Sequence, residues 1–273
     1  MNHTFEQFIK ERQYLSNVSP ATVEWYKQSL RWLGTESPSE EQLKDFVLRM
    51  REKGLKATGC NNRIRAVNAY LTWAGSPHRV PRMKEPQFIL PTFTLPQVST
   101  LIGWKPKGFY ERRLHLLLLI LFDTGCRISE ALGLHVAECD LDNLLLTLNG
   151  KGQKQRKVPF SFELRKALFR HTREFCSHPH MLVLGTRQGC RLDRHVMARD
   201  VRRICGDLGF NPPERTLHAF RHTFAVNYLR KGGSVFHLQK VLGHSSLEMT
   251  RRYANLLTED LQAMHPRVSL LAS

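Results

Sequence analysis

Hydrophobic residues recur at helical spacing through the first part of the chain, from Thr4 to about Ala74. Turn-forming residues interrupt this periodicity at Ser19-Pro20, at Ser37-Pro38 and around Gly54. Three interruptions divide the segment into four helices. We therefore expect a helical unit in this part of the chain.

Two sets of capping residues indicate where helices begin. Ser37 offers a capping hydroxyl, Pro38 a first-turn proline and Glu40 a reciprocal acid, which predicts a helix that ends near Lys53. The sequence Thr-Leu-Pro-Gln at 94–97 is a second capping box. It predicts the first helix of a second domain.

Prolines separate the two predicted domains. Their fixed φ angles and missing amide donors disfavour regular structure between residues 75 and 96, where the chain has Pro77, Pro81, Pro86, Pro91 and Pro96. We therefore predict a helical domain over residues 1–75, a basic proline-rich linker over 76–93 and a second domain over 94–273.

The second domain combines helical and strand patterns. A long apolar helix is expected over about 110–122, with Gly125 as its stop. Runs at 143–148 and 155–160 predict a β-hairpin, and Pro159 restricts the second run to a sheet edge. The remainder has helical patterns with short polar breaks. The expected fold is mainly α with a small β-sheet, and the second domain is of the α+β class.

The charge balance indicates a polyanionic partner. Lys and Arg number 41 against 24 Asp and Glu, which gives a formal net charge of +17. The longest apolar run, Leu116 to Phe122, is far shorter than the roughly 20 residues that cross a bilayer, so we expect no membrane span. The N-terminus lacks a signal-peptide core, and the six cysteines form no CxxC pair, as in proteins with reduced thiols. A cytoplasmic protein is expected.

Basic side chains cluster in two places. The first cluster contains one acid, Glu52, and is either a solvated face or a phosphate-binding surface; its members are Arg49, Arg51, Lys53, Lys56, Arg63 and Arg65. The second is the loop of the predicted hairpin, which is either solvated or a finger that enters a DNA groove; it contains Lys151, Lys154, Arg156 and Lys157.

The segment 216–224 has the residues of an anion site. It predicts an amphipathic helix on which His218 and Arg221, three residues apart, project beside an apolar stripe. The stripe consists of Leu217, Phe220, Phe224 and Tyr228. His218 and His222 also have the spacing of a helical zinc pair, but a third ligand is not evident and Ala219 occupies the place of the glutamate base of metalloproteases. We therefore favour the anion site.

Other candidate residues are weak signals one by one. Arg127 lies between the end of one predicted helix and the start of the next. A structural ion pair with Glu130 would explain an arginine at this position without any role in catalysis. His244 follows a glycine, and Tyr253 comes nine residues later. A single tyrosine is usually a packing residue.

In combination these residues resemble the tyrosine recombinases, the phage-integrase-like enzymes. The family motifs occur in the family's order and approximate spacing over about Thr94 to Asn255, and they are Thr-Gly-Cys-Arg127-Ile-Ser-Glu, Gly-Lys151-Gly, His218-Ala-Phe-Arg221-His-Thr, Leu-Gly-His244-Ser and Arg-Arg-Tyr253-Ala. The helical N-terminal region resembles the family's core-binding domain. Cys126 and the pair Ala219-Phe220 depart from common family residues, but neither departure removes a functional group.

The resemblance implies a reaction and roles for these residues. Tyr253 would attack a DNA phosphate and form a 3′-phosphotyrosine, while Arg127 and Arg221 bind the phosphate oxygens. His218 and His244 would be further donors or proton handlers, with His218 as the base. Lys151, or else Lys154, would protonate the departing 5′-oxygen. Metal, ATP and other cofactors are not expected.

The resemblance also implies partners. These are double-stranded DNA with an inverted-repeat core site and further copies of the chain, two on each site and four in the synapse, at the nucleoid of a bacterium or in a phage system. Apolar positions after Tyr253 predict a terminal helix that either docks on a neighbouring subunit or packs within its own subunit. These positions are Leu256, Leu257, Leu261, Met264 and Val268. A type IB topoisomerase and a non-catalytic DNA-binding protein on the same scaffold are the alternative functions.

Overall fold

A computed structural model describes residues 4–85, 91–150, 155–244 and 246–254. The chain divides into two compact units, Met1–Phe88 and Ile89–Ser273. Lys151, Lys154 and the terminal helix predicted after Tyr253 lie outside the described residues.

The first unit contains the four predicted helices. They are α1 (Phe5–Tyr14), α2 (Pro20–Leu33), α3 (Glu40–Glu52) and α4 (Ala57–Trp73). The predicted start of α3 is wrong by two residues, because the capping serine is Ser39 and not Ser37. The Ser39 hydroxyl accepts from the Gln42 amide at 3.2 Å, and the Gln42 side chain accepts from the Ser39 amide at 2.9 Å. The reciprocal partner is therefore Gln42, and Glu40 is the first helical residue.

Aromatic side chains from several helices form the core of the first unit. Phe8 is fully buried and meets Tyr26 and Tyr70 edge to face, with ring centroids 4.9 and 5.5 Å apart. Part of the segment predicted as a linker also packs on this unit. The Asn68 side chain donates to the Val80 carbonyl at 2.8 Å and accepts from the Val80 amide at 2.9 Å. These two hydrogen bonds satisfy the backbone amide and carbonyl of Val80, which lies in a proline-rich segment without helix or strand structure.

The second unit is mainly helical with a small sheet, which confirms the predicted fold class. Its helices and strands in chain order are α5 (Leu95–Gly103), α6 (Gly108–Thr124), α7 (Ile128–Ala131), a 3₁₀ turn (Val136–Glu138), β1 (Cys139–Asp140), β2 (Leu145–Asn149), β3 (Gln155–Pro159), α8 (Phe162–Phe175), α9 (Arg194–Asp207), α10 (Thr216–Arg230), α11 (Val235–Leu242) and α12 (Leu247–Ala254). The predicted capping box is confirmed, since the Thr94 hydroxyl accepts from the Gln97 amide and α5 begins at Leu95.

The sheet is antiparallel with the strand order β1-β2-β3. The predicted hairpin is β2 and β3, in register from Leu145 opposite Pro159 to Asn149 opposite Gln155. Pro159 lies on an edge strand, as predicted. The two-residue strand β1 was not predicted, because two residues are too short to show an alternating pattern.

Helix α6 passes through the core of the second unit. Leucines and an isoleucine on several of its faces are buried, among them Leu117, Leu118 and Ile120. The helix ends at Gly125, which has a left-handed φ of 60° and donates its amide to the Leu121 carbonyl. Among the described residues, no helix combines the length and the apolar character needed to cross a bilayer.

The four residues of the predicted stripe of α10 pack against the apolar clusters, but the helix is buried on more than one face, so the prediction of a single buried side is wrong. Of the four stripe residues only Phe220 is fully buried, and the polar residues Thr216, Arg221 and Thr223 are also buried. The reason is tertiary, because α10 packs against α6, α9, α11 and α12. A central helix places its polar side chains inside the unit, where they need partners.

Gly125→Ala is expected to destabilise the second unit strongly. A β-carbon at this position would overlap the Phe224 ring, and the φ of 60° is unfavourable for alanine. The two costs together are about 2 to 5 kcal/mol in the free energy of unfolding. The matched control is Gly209→Ala, which has a φ of 85° and nothing within 4 Å of the added carbon. Urea unfolding measures both, and equal losses in the two variants would contradict the packing argument.

Candidate active site

Arg221 lies in the middle of α10 and binds the ends of two other helices. Its NH1 group donates to the Gly125 carbonyl at 2.9 Å, and its NH2 group donates to the Leu242 carbonyl at 2.6 Å. These carbonyls close α6 and α11, where the helix dipole favours a cation. Burial, followed by the nearby charge of Arg127, lowers the pKa of Arg221 to about 10. The guanidinium therefore remains charged at neutral pH.

Arg127 is the residue that precedes α7, and its side chain lies close to the end of α11. Its guanidinium forms an ion pair with Glu130 at 2.9 Å and donates to the Gly243 carbonyl at 3.4 Å. The ion pair that the sequence suggested is therefore present. The Arg127 side chain is 40% exposed, so a ligand in solution can reach its remaining donors. Arg127 and Arg221 thus bind adjacent carbonyls, those of Gly243 and Leu242.

Glu130 is a buried carboxylate between two arginines. Arg156 of β3 donates to both of its oxygens, each at 2.8 Å, and Arg127 binds it through the backbone and the side chain. Burial alone would raise the pKa of Glu130, but the hydrogen bonds and charges of Arg156 and Arg127 outweigh burial and lower it. The carboxylate is ionised at neutral pH and orients both guanidinium groups.

Arg156 is part of this network and not of a solvated hairpin tip. Its side chain is 14% exposed, and its Nε donates to the Val241 carbonyl at 2.8 Å. Gly243, with a φ of 64°, makes room for it, since a β-carbon there would lie 3.0 Å from Arg156 Cδ. The prediction that placed Arg156 in a solvated tip or a groove-binding finger is therefore wrong. Its partners are 26 and 85 residues away in the sequence, which is why the local pattern missed them.

Tyr253 lies in α12, in a small apolar cluster with α10 and α11, and is 4% exposed. Its hydroxyl oxygen is 3.0 Å from Nδ1 of His222. The ring of His244 is nearly parallel to the Tyr253 ring, with an interplanar angle of 8° and centroids 6.2 Å apart. His244 Nδ1 is in turn 2.9 Å from the Thr250 hydroxyl. Two imidazoles therefore lie beside the phenol.

All the histidines of this region have lowered pKa values. Burial, followed by the nearby arginines Arg221 and Arg127, lowers the pKa of His244 to about 4. Burial and the charges of Arg215, Arg221 and Arg194 lower the pKa of His218. Neutral imidazoles in a cationic site are able to accept protons, and the site as a whole favours an anionic ligand.

The structure brings together most of the residues that the sequence selected. Arg127, Arg221, His244 and Tyr253 meet around residues 242–244, while His218 is on the exposed side of α10, with its ring 6.5 Å from the ring of His222. Sequence reasoning missed the contact of His222 with Tyr253 and considered His222 as a zinc ligand only. Its place directly after Arg221 was the available signal.

Among the described residues, no group of three His, Cys, Asp or Glu side chains is arranged to hold a metal ion.

Comparisons with known proteins find a matching family model and relatives of similar sequence. The family model described as the phage integrase family matches residues 92–260, which is more than half of the chain. Tyrosine recombinase XerA of Pyrococcus furiosus is 29% identical over 244 residues, covering 86% of this chain and 82% of the relative. Tyrosine recombinase XerC of Bacillus subtilis is 26% identical over 299 residues, covering 95% of each chain.

A solved structure has a similar fold. The Tn1549 transposon integrase, in complex with transposon right end DNA, superimposes with a TM-score of 0.78 at 21% identity, covering 97% of this chain and 98% of the other. The fold similarity extends over both units of the chain. The matched family model establishes that the protein belongs to the phage integrase family of tyrosine recombinases.

Proposed function

We propose that this tyrosine-type site-specific DNA recombinase cuts and rejoins DNA strands with Tyr253 as its nucleophile. In this proposal Arg127 and Arg221 bind the phosphate under attack. His218 and His244 are further donors or proton handlers. Lys151 protonates the departing oxygen, with Lys154 as the alternative acid.

The observation that carries the proposal is the convergence of separate chain segments on residues 242–244. Arg221 donates to the carbonyl of Leu242, Arg127 donates to the carbonyl of Gly243, and the next residue, His244, lies against the Tyr253 ring. The helix end that both arginines bind is therefore followed directly by a residue whose ring is stacked with that of the proposed nucleophile. A cation-rich site with a buried phenol is suited to attack on an anionic ester.

The charge of the transition state explains the two arginines. When a phenol attacks a phosphodiester, negative charge grows on the non-bridging oxygens, and preorganised donors stabilise it. A guanidinium has five N–H donors, and the carbonyl contacts of Arg221 use one on each terminal nitrogen. The same contacts hold its plane before DNA arrives. Binding the transition state then requires little rearrangement.

The hairpin supports a role for Lys151 in the same site. Arg156, the second residue of β3, binds Glu130 and the Val241 carbonyl, so the end of the strand next to the loop is held close to Arg127, which binds the same glutamate. A lysine in that loop could reach a 5′-oxygen at the site. A deoxyribose 5′-oxygen is a poor leaving group unless it is protonated.

Covalent attachment explains how strands are rejoined without ATP. The 3′-phosphotyrosine conserves the energy of the broken phosphodiester, and a 5′-hydroxyl of a second strand reverses the attack and releases Tyr253. Fixed cationic side chains supply the charge that a metal ion supplies in other phosphoryl transfers. The proposed reaction therefore uses no cofactor.

Residues 1–75 form the proposed core-binding domain. Lys53 and Arg63 both lie over the Trp32 ring, each 5.2 Å from its centroid, and Arg65 lies over Trp25 at 5.6 Å. The two tryptophans are seven residues apart in α2 and so lie on the same side of that helix, where the held cations suit contact with DNA phosphates. The net charge of +17 provides the long-range attraction to DNA.

The proposed assembly follows from the reaction. Exchange of strands requires two cut sites, so we propose two copies on each inverted-repeat core site and four in the synapse. The residues after Tyr253 would dock on a neighbouring subunit, and the basic segment 76–93 would link the two domains. We propose that the protein acts in the cytoplasm at the nucleoid, where DNA of the proposed kind is found.

The function is tested on DNA that flanks the encoding gene. Purified protein is incubated with fragments of this DNA, covalent complexes are isolated, and the attached strand ends are sequenced to give the site. A plasmid with two copies of that site is then expected to undergo deletion or inversion. Relaxation of supercoiled plasmid without site dependence would identify a topoisomerase instead. Specific binding without covalent complexes would identify a non-catalytic DNA-binding protein.

A further inference from the structure

His222 occupies the position from which a base would act on Tyr253. Its Nδ1 is 3.0 Å from the phenol oxygen, and the two ring centroids are 5.6 Å apart. His222 is partly buried, and Tyr253 is 4% exposed, so bulk water has little access to the phenol. A proton that leaves the phenol therefore needs an acceptor within the protein.

The surroundings of His222 keep its ring neutral before DNA binds. Burial is the main cause, and His218, Arg221 and Arg215 add to it, so that the pKa of His222 falls to about 4. His218 and Arg221 belong to α10, and Arg215 is the residue that precedes its first turn. From other segments of the described chain, Tyr253 faces the ring at hydrogen-bond distance and His244 interacts with it electrostatically. A neutral ring in the tautomer with its proton on Nε2 has an unprotonated Nδ1, and that nitrogen accepts a hydrogen bond from the phenol.

His218, the base expected from the sequence, has a different environment. It is on the exposed side of α10, one turn before His222, and its ring is 6.5 Å from the ring of His222. An exposed position beside Arg221 suits a donor to a phosphate oxygen. The two histidines of this helix turn therefore suit two different tasks.

Resting on the proposed role of Tyr253, we infer that His222 is a catalytic residue which orients the phenol oxygen and takes its proton. As the Tyr253 oxygen bonds to phosphorus, the phenol proton moves to Nδ1 of His222 and the ring becomes an imidazolium. The bond from phosphorus to the 5′-oxygen breaks, and that oxygen leaves with a proton from the general acid. In the rejoining step each proton returns to its source.

Bound DNA makes this proton transfer easier. The phosphodiester carries a negative charge, which raises the proton affinity of a neighbouring imidazole. The same charge offsets the repulsion between a protonated His222 and Arg221. The ring is therefore a weak base in the free protein and a stronger one when substrate is present.

The test measures the rate of covalent complex formation on DNA with a nick just beyond the cleavage position. Cleavage then releases a short fragment that carries the 5′-hydroxyl, and because this fragment diffuses away the strand is not rejoined. His222→Phe keeps a ring without an acceptor, and its rate at neutral pH is expected to fall by about 10² to 10⁴ fold. His222→Asn places an amide oxygen close to Nδ1, so it retains the hydrogen bond but cannot take the proton. It is expected to remain slow at neutral pH and to accelerate with rising pH, while the rate of the unmodified protein levels off.

Two comparisons decide between outcomes. Full activity of His222→Asn at neutral pH would overturn proton transfer, because a hydrogen bond alone would then be sufficient. Full activity of His222→Phe would overturn the inference entirely. If His222→Phe does not fold, the pH profile of His222→Asn decides alone. His237→Phe, an exposed histidine of α11 outside the site, is the control and is expected to leave the rate unchanged.

A modified substrate separates this inference from the proposed roles of the other residues. DNA with sulfur in place of the bridging 5′-oxygen has a leaving group that needs no proton. It is expected to restore the rate of Lys151→Ala and to leave His222→Phe slow. Restoration of His222→Phe by the same substrate would assign His222 to the leaving-group side and overturn the inference. Neither result changes whether Tyr253 is the nucleophile, which is tested separately by Tyr253→Phe.

Discussion

Tyr253→Phe is expected to abolish the covalent protein–DNA complex while DNA binding stays within a few fold of the original. The substitution removes one oxygen atom, and that atom is the proposed nucleophile. The ring itself lies in the apolar cluster of α10, α11 and α12, so phenylalanine fits the same space. Gel separation of denatured complexes on nicked DNA measures the loss, and fluorescence anisotropy measures the binding.

The matched control is another tyrosine of the same cluster. Tyr228 packs at the edge of this cluster, and Tyr228→Phe also removes one phenolic oxygen. It is expected to form the covalent complex at an unchanged rate. A complex that persists in Tyr253→Phe would remove Tyr253 from its proposed role.

Arg221→Lys is expected to slow covalent complex formation by about 10² to 10³ fold, the usual effect of removing one preorganised transition-state donor. Lysine keeps the positive charge but loses the planar fork that binds two carbonyls and that we propose to bind the phosphate at the same time. DNA affinity is expected to change much less, because the contact strengthens as charge develops. Single-turnover rates and binding measurements on the same nicked DNA give the two effects.

Arg113→Lys is the control for Arg221→Lys, because it also replaces a buried arginine but lies outside the site. Arg113 is 6% exposed, close to the 7% of Arg221, and donates to the Gly185 carbonyl at 2.8 Å outside the site. Both substitutions are expected to lower the free energy of unfolding by about 1 to 3 kcal/mol, since each weakens a buried hydrogen bond. Arg113→Lys should leave the rate of complex formation unchanged. Equal losses of rate and affinity in Arg221→Lys would make Arg221 a residue that positions DNA and has no special role in the transition state.

The sequence predicted those parts of the fold that local rules determine. The Thr94 capping box, the Gly125 helix end and the edge strand with Pro159 each depend on residues within one turn or one strand. The start of α3 failed because Ser37 and Ser39 both offer a capping hydroxyl at plausible spacing. The choice between them depends on the hydrogen bond that Gln42 makes.

Tertiary packing determined what the sequence could not predict. The face of α10 that is buried depends on neighbours far away in the chain, and Arg221 is buried because two helix ends supply carbonyls for it. In the same way, Arg156 looked like part of a basic loop until Glu130 was placed beside it.

The site was predicted as a set of residues but not as a set of contacts. The motif order singled out Arg127, Arg221, His244 and Tyr253, and the structure brings these together. The contact between His222 and Tyr253 joins positions 31 residues apart, and no spacing rule within one helix reveals it. The motifs therefore selected the candidate residues, and only the fold revealed that His222 contacts the phenol.

The chemical identity of the covalent link tests the central claim most directly. The trapped complex is digested with nuclease and protease, and the peptide that retains nucleotide is sequenced by mass spectrometry. We predict a peptide in which the Tyr253 oxygen carries the 3′-phosphate of the cut strand. Attachment at another residue, or to a 5′-phosphate, would contradict the account.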